Sequence, residues 1–185
     1  MNRIIELANE VQSKFKGFYL AGGTAIMFKY RHRISNDLDF FNQKVFSYNL
    51  HKKKVLGNFN VDRWFRGDEN IDFFIEGIKV SFVFFPFPNI RKTQVVQNIT
   101  MASDMDLFLN KIYTAGRRID RKDPFDAAYL YRINRWKPEE IKQLFEKKFS
   151  FQSYEIYLGA LLSFDDYNPL ENWVKETLNE LIAKI

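Results

Sequence analysis

Two aspartates spaced two residues apart, Asp37 and Asp39, follow closely on a Gly22-Gly23-Thr24 triplet, and this pairing is where the sequence offers chemistry. Residues i and i+2 of a strand share a face, so both carboxylates point the same way. Two converging negative charges call for a cation. Hard Mg²⁺ takes oxygen ligands, keeps several waters, and is commonly held by one or two carboxylates together with substrate phosphates. The paired glycines end an apolar run and open a helical one. Bare backbone there lets a phosphate approach, and a helix N-terminus offers free amides and the positive end of a dipole, with the Thr24 hydroxyl beside them. The two elements read as a phosphate cradle facing a metal pair. No Gly-Lys-Ser or Gly-Lys-Thr follows the glycines, so this is not a Walker A loop, and neither a His-Glu-x-x-His helix nor a nucleophile elbow is present.

Composition supports a metal held by oxygen. The chain has no cysteine and two histidines, which removes disulfides, Cys-ligated zinc, thiol nucleophiles and His-rich metal sites. With 185 residues, 46% of them hydrophobic, and 20 Phe, 9 Tyr and 3 Trp, it can bury a sizeable core. The net charge of +5 is unevenly spread: residues 1–100 carry +6 and residues 101–185 carry −1. A second basic cluster runs from Lys111 to Lys122, so the positive surface that would attract a polyanion stops near residue 122. Charges at Arg3, Glu6, Glu10, Lys14 and Lys16 spoil a leader peptide, and the apolar runs Gly17–Phe28 and Val80–Pro88 are too short to span a bilayer. The reading is a soluble, cytoplasmic protein with no membrane partner.

The elements that must position the aspartates fall into two halves. Residues 1–100 show short β-rich runs (Phe18–Ala21, Leu38–Phe41, Phe59–Trp64, Ile71–Ile75, Ile78–Phe85) between helical stretches at 2–14, 23–32 and 47–56. From Thr100 onward strand signals vanish and five helices are expected. Ser103 caps the first, and Asp123 with Pro124 reads as N-cap and first residue of the second. Pro138 opens the third, residues 153–164 form the fourth, and Asn168-Pro169 starts the last. The fold class is mixed α+β (α/β): a mixed sheet in the half 1–100, followed by a helical bundle in the half 101–185. The tryptophans and the phenylalanines of Val80–Phe87 read as core.

The run Gly22-Gly23-Thr24, with thirteen residues between Gly23 and Asp37, closing on Arg33-Ile34-Ser35-Asn36-Asp37-Leu38-Asp39-Phe40-Phe41, resembles the signature of the nucleotidyltransferase superfamily, specifically its AbiEii/AbiGii toxin type. Lys111–Arg118 and Lys122-Asp123-Pro124-Phe125-Asp126 are similar to that family's helix with a lysine and a following arginine and to its Arg/Lys-Asp-x-x-Asp element. The resemblance spans roughly residues 15–135. It implies a nucleotidyltransferase-type sheet with a helical half closing over the nucleotide. It also implies transfer of a nucleoside monophosphate from an NTP to an acceptor hydroxyl, with two Mg²⁺ ions (or Mn²⁺ in their place) bridged by Asp37 and Asp39. Gly22, Gly23, Thr24, Arg33 and Ser35 would meet the nucleotide. The implied acceptor is RNA, commonly the 3′ end of tRNA, and the implied partner is a cognate antitoxin. Helical spacing puts Lys111, Ala115 and Arg118 on one face, where lysine and arginine could meet the same phosphates. Asp123 and Asp126 would cap and favour the next helix, or orient Lys111 or a base.

The pattern breaks at its third acidic position, where Lys79-Val80-Ser81 stands for Lys-x-Glu or Lys-x-Asp. A two-residue hairpin turn at Glu76-Gly77 would place Asp72 opposite Ser81, so Asp72 is expected to supply the missing catalytic charge from the neighbouring strand. Two other readings stay open: a nucleotide- or RNA-binding module that lost activity with Ser81, and a transferase acting on a small-molecule or protein hydroxyl.

Overall fold

Helical spacing and strand alternation decide which side chains go inside. In the computed structural model, which describes residues 2–182, helix α1 (Asn2–Lys14) turns Ile4, Leu7, Ala8 and Val11 to one buried side. Strand β1 (Tyr19–Ala21) runs directly into helix α2 (Gly22–Tyr30), which ends where Arg31 adopts a left-handed conformation. There follow β2 (Asp37–Asn42), α3 (Tyr48–Leu56), β3 (Val61–Arg66), β4 (Asn70–Ile75), β5 (Ile78–Phe84), β6 (Gln94–Val96) and β7 (Ile99–Met101). The remainder is helical: α4 (Asp104–Ala115), α5 (Lys122–Asn134), α6 (Pro138–Lys148), α7 (Tyr154–Leu161), a 3₁₀ turn at Phe164–Tyr167, and α8 (Asn172–Asn179). No helix among the described residues is long and apolar enough to cross a membrane.

The seven strands form one mixed sheet in the order β3-β4-β5-β2-β1-β7-β6, with β2 parallel to β5 and β1 parallel to β7. The chain divides into two compact units. One holds residues up to Pro88 together with Lys92–Ala102; the other holds Asn89–Arg91 and everything from Ser103 on. In the first, Leu38, Phe40, Phe73, Val80 and Phe82 point to one side of the sheet and are fully buried. The Phe82 ring meets Phe15 and Phe18 at centroid distances of 4.7 and 5.1 Å. Burying each such side chain is worth about 1.5–3 kcal/mol, enough to lock β2 and β5 together and so fix what their opposite faces present.

In the second unit, Ser103, the residue before α4, accepts the Asp106 amide at 3.1 Å as an N-cap, and Pro138 occupies the first turn of α6. Asp106 is fully buried. It accepts from the Ile90 and Arg91 amides at 2.8 and 3.0 Å, from the Ser103 hydroxyl at 2.7 Å, and from Lys148 at 2.6 Å, tying residues 89–91 to the helices. Burial pushes the Lys148 ammonium down and also works against the Asp106 charge, but Lys148 and the other donors together hold the Asp106 carboxyl below its ordinary value.

Four sequence expectations need correction. Strands β6 and β7, a hairpin turning at Gln97 and Asn98 with positive φ at both, lie where no strand was expected, and β7 extends past residue 100. Asp123 is the second residue of α5 rather than its cap, because the Lys122 amide is taken by the Asp120 side chain at 3.0 Å. The last helix begins at Asn172, not at Asn168-Pro169. Trp64 lies 40% exposed on β3, with Lys52 Nζ 4.3 Å from its ring centroid, rather than in the core.

Candidate active site

Strand β2 buries Leu38 and Phe40 and turns Asp37 and Asp39 to the other side, the former exposed and the latter half-buried, as alternation requires. Asp39 lies opposite Ala21 on β1 and opposite Ser81 on β5, and Ser81 in turn lies opposite Asp72 on β4. One transverse row of the sheet therefore reads Ala21, Asp39, Ser81, Asp72. The row beside it pairs Asp37 with Lys79 and Lys79 with Phe74. Five polar positions thus share one face of three adjacent strands.

The glycine triplet meets this face at the start of α2. Gly22 has φ +69, and a Cβ built there would stand 2.6 Å from Asp39 Oδ2, so both the backbone conformation and the carboxylate require glycine. The Asp39 carboxylate accordingly sits against bare backbone at the positive end of α2. Gly23 is buried in the first turn. Thr24 is not at the cradle surface: it is fully buried, donates to the Asp37 carbonyl and shares a hydrogen bond of 2.8 Å with the Ser35 hydroxyl. The buried Thr24 and the half-buried Ser35 therefore fix the entry into β2, and with it the place of Asp37. The Ser35 amide also donates to Met27 Sδ at 3.1 Å. Arg33, half-buried in the same connection, donates to the Ile34 carbonyl at 3.1 Å.

The hairpin register expected for Asp72 is the one observed, with positive φ at both Glu76 and Gly77. Its carboxylate, however, is already engaged: Oδ1 accepts from the Asn70 side-chain amide at 2.7 Å and Oδ2 stands 3.0 Å from Lys79 Nζ. Asn70 and the role of Lys79 escaped the sequence reading. Desolvation works against the Lys79 charge, but the Asp72 hydrogen bond and the charges of Asp72, Asp39 and Asp37 outweigh it and raise its pKa above the ordinary value. Between these charged groups Ser81 is buried, and its Oγ has no hydrogen-bond partner.

In the helical unit, Lys111 is 6% exposed and its Nζ lies 2.7 Å from Asp123 Oδ1 and 2.8 Å from Asp126 Oδ2. Arg118 reaches the same Asp123 with Nε at 3.0 Å from Oδ2. Both carboxylates are fully buried. Lys111 thus does not present its ammonium outward as a phosphate donor would. Asp123 and Asp126 hold the Lys111 ammonium between them, and burial, which disfavours the ammonium, is overcome by their charges.

Which residues fit a metal follows from these bonds. Asp37 and Asp39 give two hard oxygen donors on one face, suited to one Mg²⁺ whose other positions are filled by water and phosphate oxygens. No group of three acidic, histidine or cysteine side chains with metal-binding geometry exists among the described residues. A second ion would have to draw on the neutral Ser81 hydroxyl or on an Asp72 held by Lys79 and Asn70, and these do not fit it.

Known proteins resemble this chain along most of its length. The family model of the nucleotidyl transferase AbiEii toxin, of a type IV toxin–antitoxin system, matches residues 7–184. An uncharacterized protein of Aquifex aeolicus (strain VF5) is 31% identical over 170 residues, covering 86% of this chain and 82% of that one. Two crystal structures from Helicobacter pylori share the fold. JHP933 aligns with a TM-score of 0.56 at 16% identity, over 98% of this chain and 88% of its own. A candidate nucleotidyltransferase aligns with a TM-score of 0.57 at 17% identity, over 98% and 90%.

Proposed function

The chain belongs to the AbiEii nucleotidyltransferase toxin family, and from that membership we propose that it moves a nucleoside monophosphate from a Mg²⁺-bound nucleoside triphosphate to a hydroxyl of RNA, at the 3′ end of tRNA. Nucleotidyl transfer is the family's activity; the metal, the nucleotide and the acceptor are our reading. The observation that carries it is the placement of Asp37 and Asp39 on an accessible sheet face with Asp39 against Gly22 at the N-terminus of α2. When bound, Mg²⁺ on this pair supplies charge neutralisation for the triphosphate. The amides that open α2 and the Lys79 ammonium add fixed positive charge on the same face. The acceptor oxygen forms a bond to the α-phosphorus as the bond to the bridging oxygen breaks. Its proton passes to a carboxylate of this face, and pyrophosphate departs. A cognate antitoxin is the expected protein partner, and the cytoplasm the expected compartment.

The test is incubation with Mg²⁺, each of the four α-labelled nucleoside triphosphates in turn and total tRNA, beside an Asp37→Asn control. The expected result is label on RNA from one or more nucleotides, and none with the variant. Label on no macromolecule would contradict the reading, and label on the protein itself would move the acceptor from RNA to a protein hydroxyl.

A further inference from the structure

We propose that the site operates with a single divalent ion, the Lys79 ammonium holding the place a second ion would take. The proposal rests on the nucleotidyl-transfer reading and concerns how its charge is supplied.

A second ion needs a carboxylate beyond the first pair to hold it, and the row across β2, β5 and β4 shows why none is offered. The position beside Asp39 is Ser81, neutral and buried, with no partner for its Oγ. The next position is Asp72, whose two oxygens are taken by Asn70 and Lys79. What the face holds instead is a cation attached to the protein. Lys79 lies opposite Asp37 in the β2–β5 register and beside Ser81's row, reaches Asp72 at 3.0 Å, and keeps 35% of its side chain accessible. Its charge is supported by Asp72, Asp39 and Asp37 together. A lysine so placed is a compact point charge with three donors, suited to phosphate oxygens. The loss of the carboxylate at Ser81 and the capture of Asp72 by Lys79 are then two sides of one arrangement: without a second ion to bind, Asp72 serves to hold the ammonium in position.

The experiment counts ions. Mn²⁺ is titrated into the protein by electron paramagnetic resonance at saturating concentration of each α,β-methylene nucleoside triphosphate. Wild type is compared with Lys79→Ala/Ser81→Asp, which removes the fixed cation, releases Asp72 Oδ2 and places a carboxylate at position 81. The expected result is one Mn²⁺ per chain in wild type and two in the double variant, with Lys79→Arg remaining at one. Two ions in wild type would overturn the proposal and leave nucleotidyl transfer standing. One ion in both proteins would remove Lys79 from the role. No bound Mn²⁺ in any protein would overturn the underlying reading as well. The wild-type count decides the main point even if the double variant does not fold.

Discussion

Two clusters in this protein are built from the same residue types and differ in what surrounds them. Each places a lysine within ion-pair distance of aspartate: Lys79 beside Asp72 on the sheet, Lys111 between Asp123 and Asp126 in the helices. In the helical cluster the carboxylates are 0% and the lysine side chain 8% exposed, and the exposed Arg118 joins from the rim, so the charges are matched and the lysine and both carboxylates are removed from water. Such a network holds α4 to α5 and leaves little for a ligand. On the sheet face one strand lysine serves three strand carboxylates, Asp37 is exposed, and a buried hydroxyl in the midst of them lacks a partner. Residue type alone does not distinguish a bolt from a binding site; burial and completion of hydrogen bonds do.

The comparison breaks most sharply at Lys111. Lys111→Met removes the buried ammonium that Asp123 and Asp126 share and leaves Asp123 only the exposed Arg118 as its cation, which costs about 3–5 kcal/mol and, for a chain of this size, lowers Tm by about 10 °C. Thermal melts followed by circular dichroism check this; an unshifted melt would place Lys111 in solvent and return it to the phosphate-donor role. The smallest expected effect is at Ser81. Ser81→Ala removes a buried hydroxyl that bonds to nothing, so it should stabilise the protein by about 1 kcal/mol in urea titration and leave the transfer rate within about twofold. A large loss of transfer with unchanged stability would make Ser81 Oγ a ligand instead.

The parts of this site that were legible in the sequence are those set by local rules. Alternation along β2 gave the shared face of Asp37 and Asp39. The two-residue turn at Glu76-Gly77 fixed the register that sets Asp72 opposite Ser81, because a hairpin's register follows from its loop. What escaped depends on distant pairing. The parallel alignment of β2 with β5 joins strands 36 residues or more apart in sequence, and only that alignment brings Lys79 beside Asp37. Thr24 looked like a phosphate ligand because its hydroxyl opens a helix; the fold draws that hydroxyl inward to the Asp37 carbonyl. Asp123 looked like a cap because proline follows it, yet two cations claim its carboxylate. The β6–β7 hairpin turns on Gln97-Asn98, which carries no glycine to announce positive φ.

The most direct measurement of the central claim is a calorimetric titration of wild type and Asp37→Asn/Asp39→Asn with Mg²⁺ and each α,β-methylene nucleoside triphosphate. The account predicts binding by wild type with at least one nucleotide, weakened by about a hundredfold or more in the double variant while its melting curve stays within a few degrees. Equal Kd values for the two proteins would contradict it and move the nucleotide away from the sheet face.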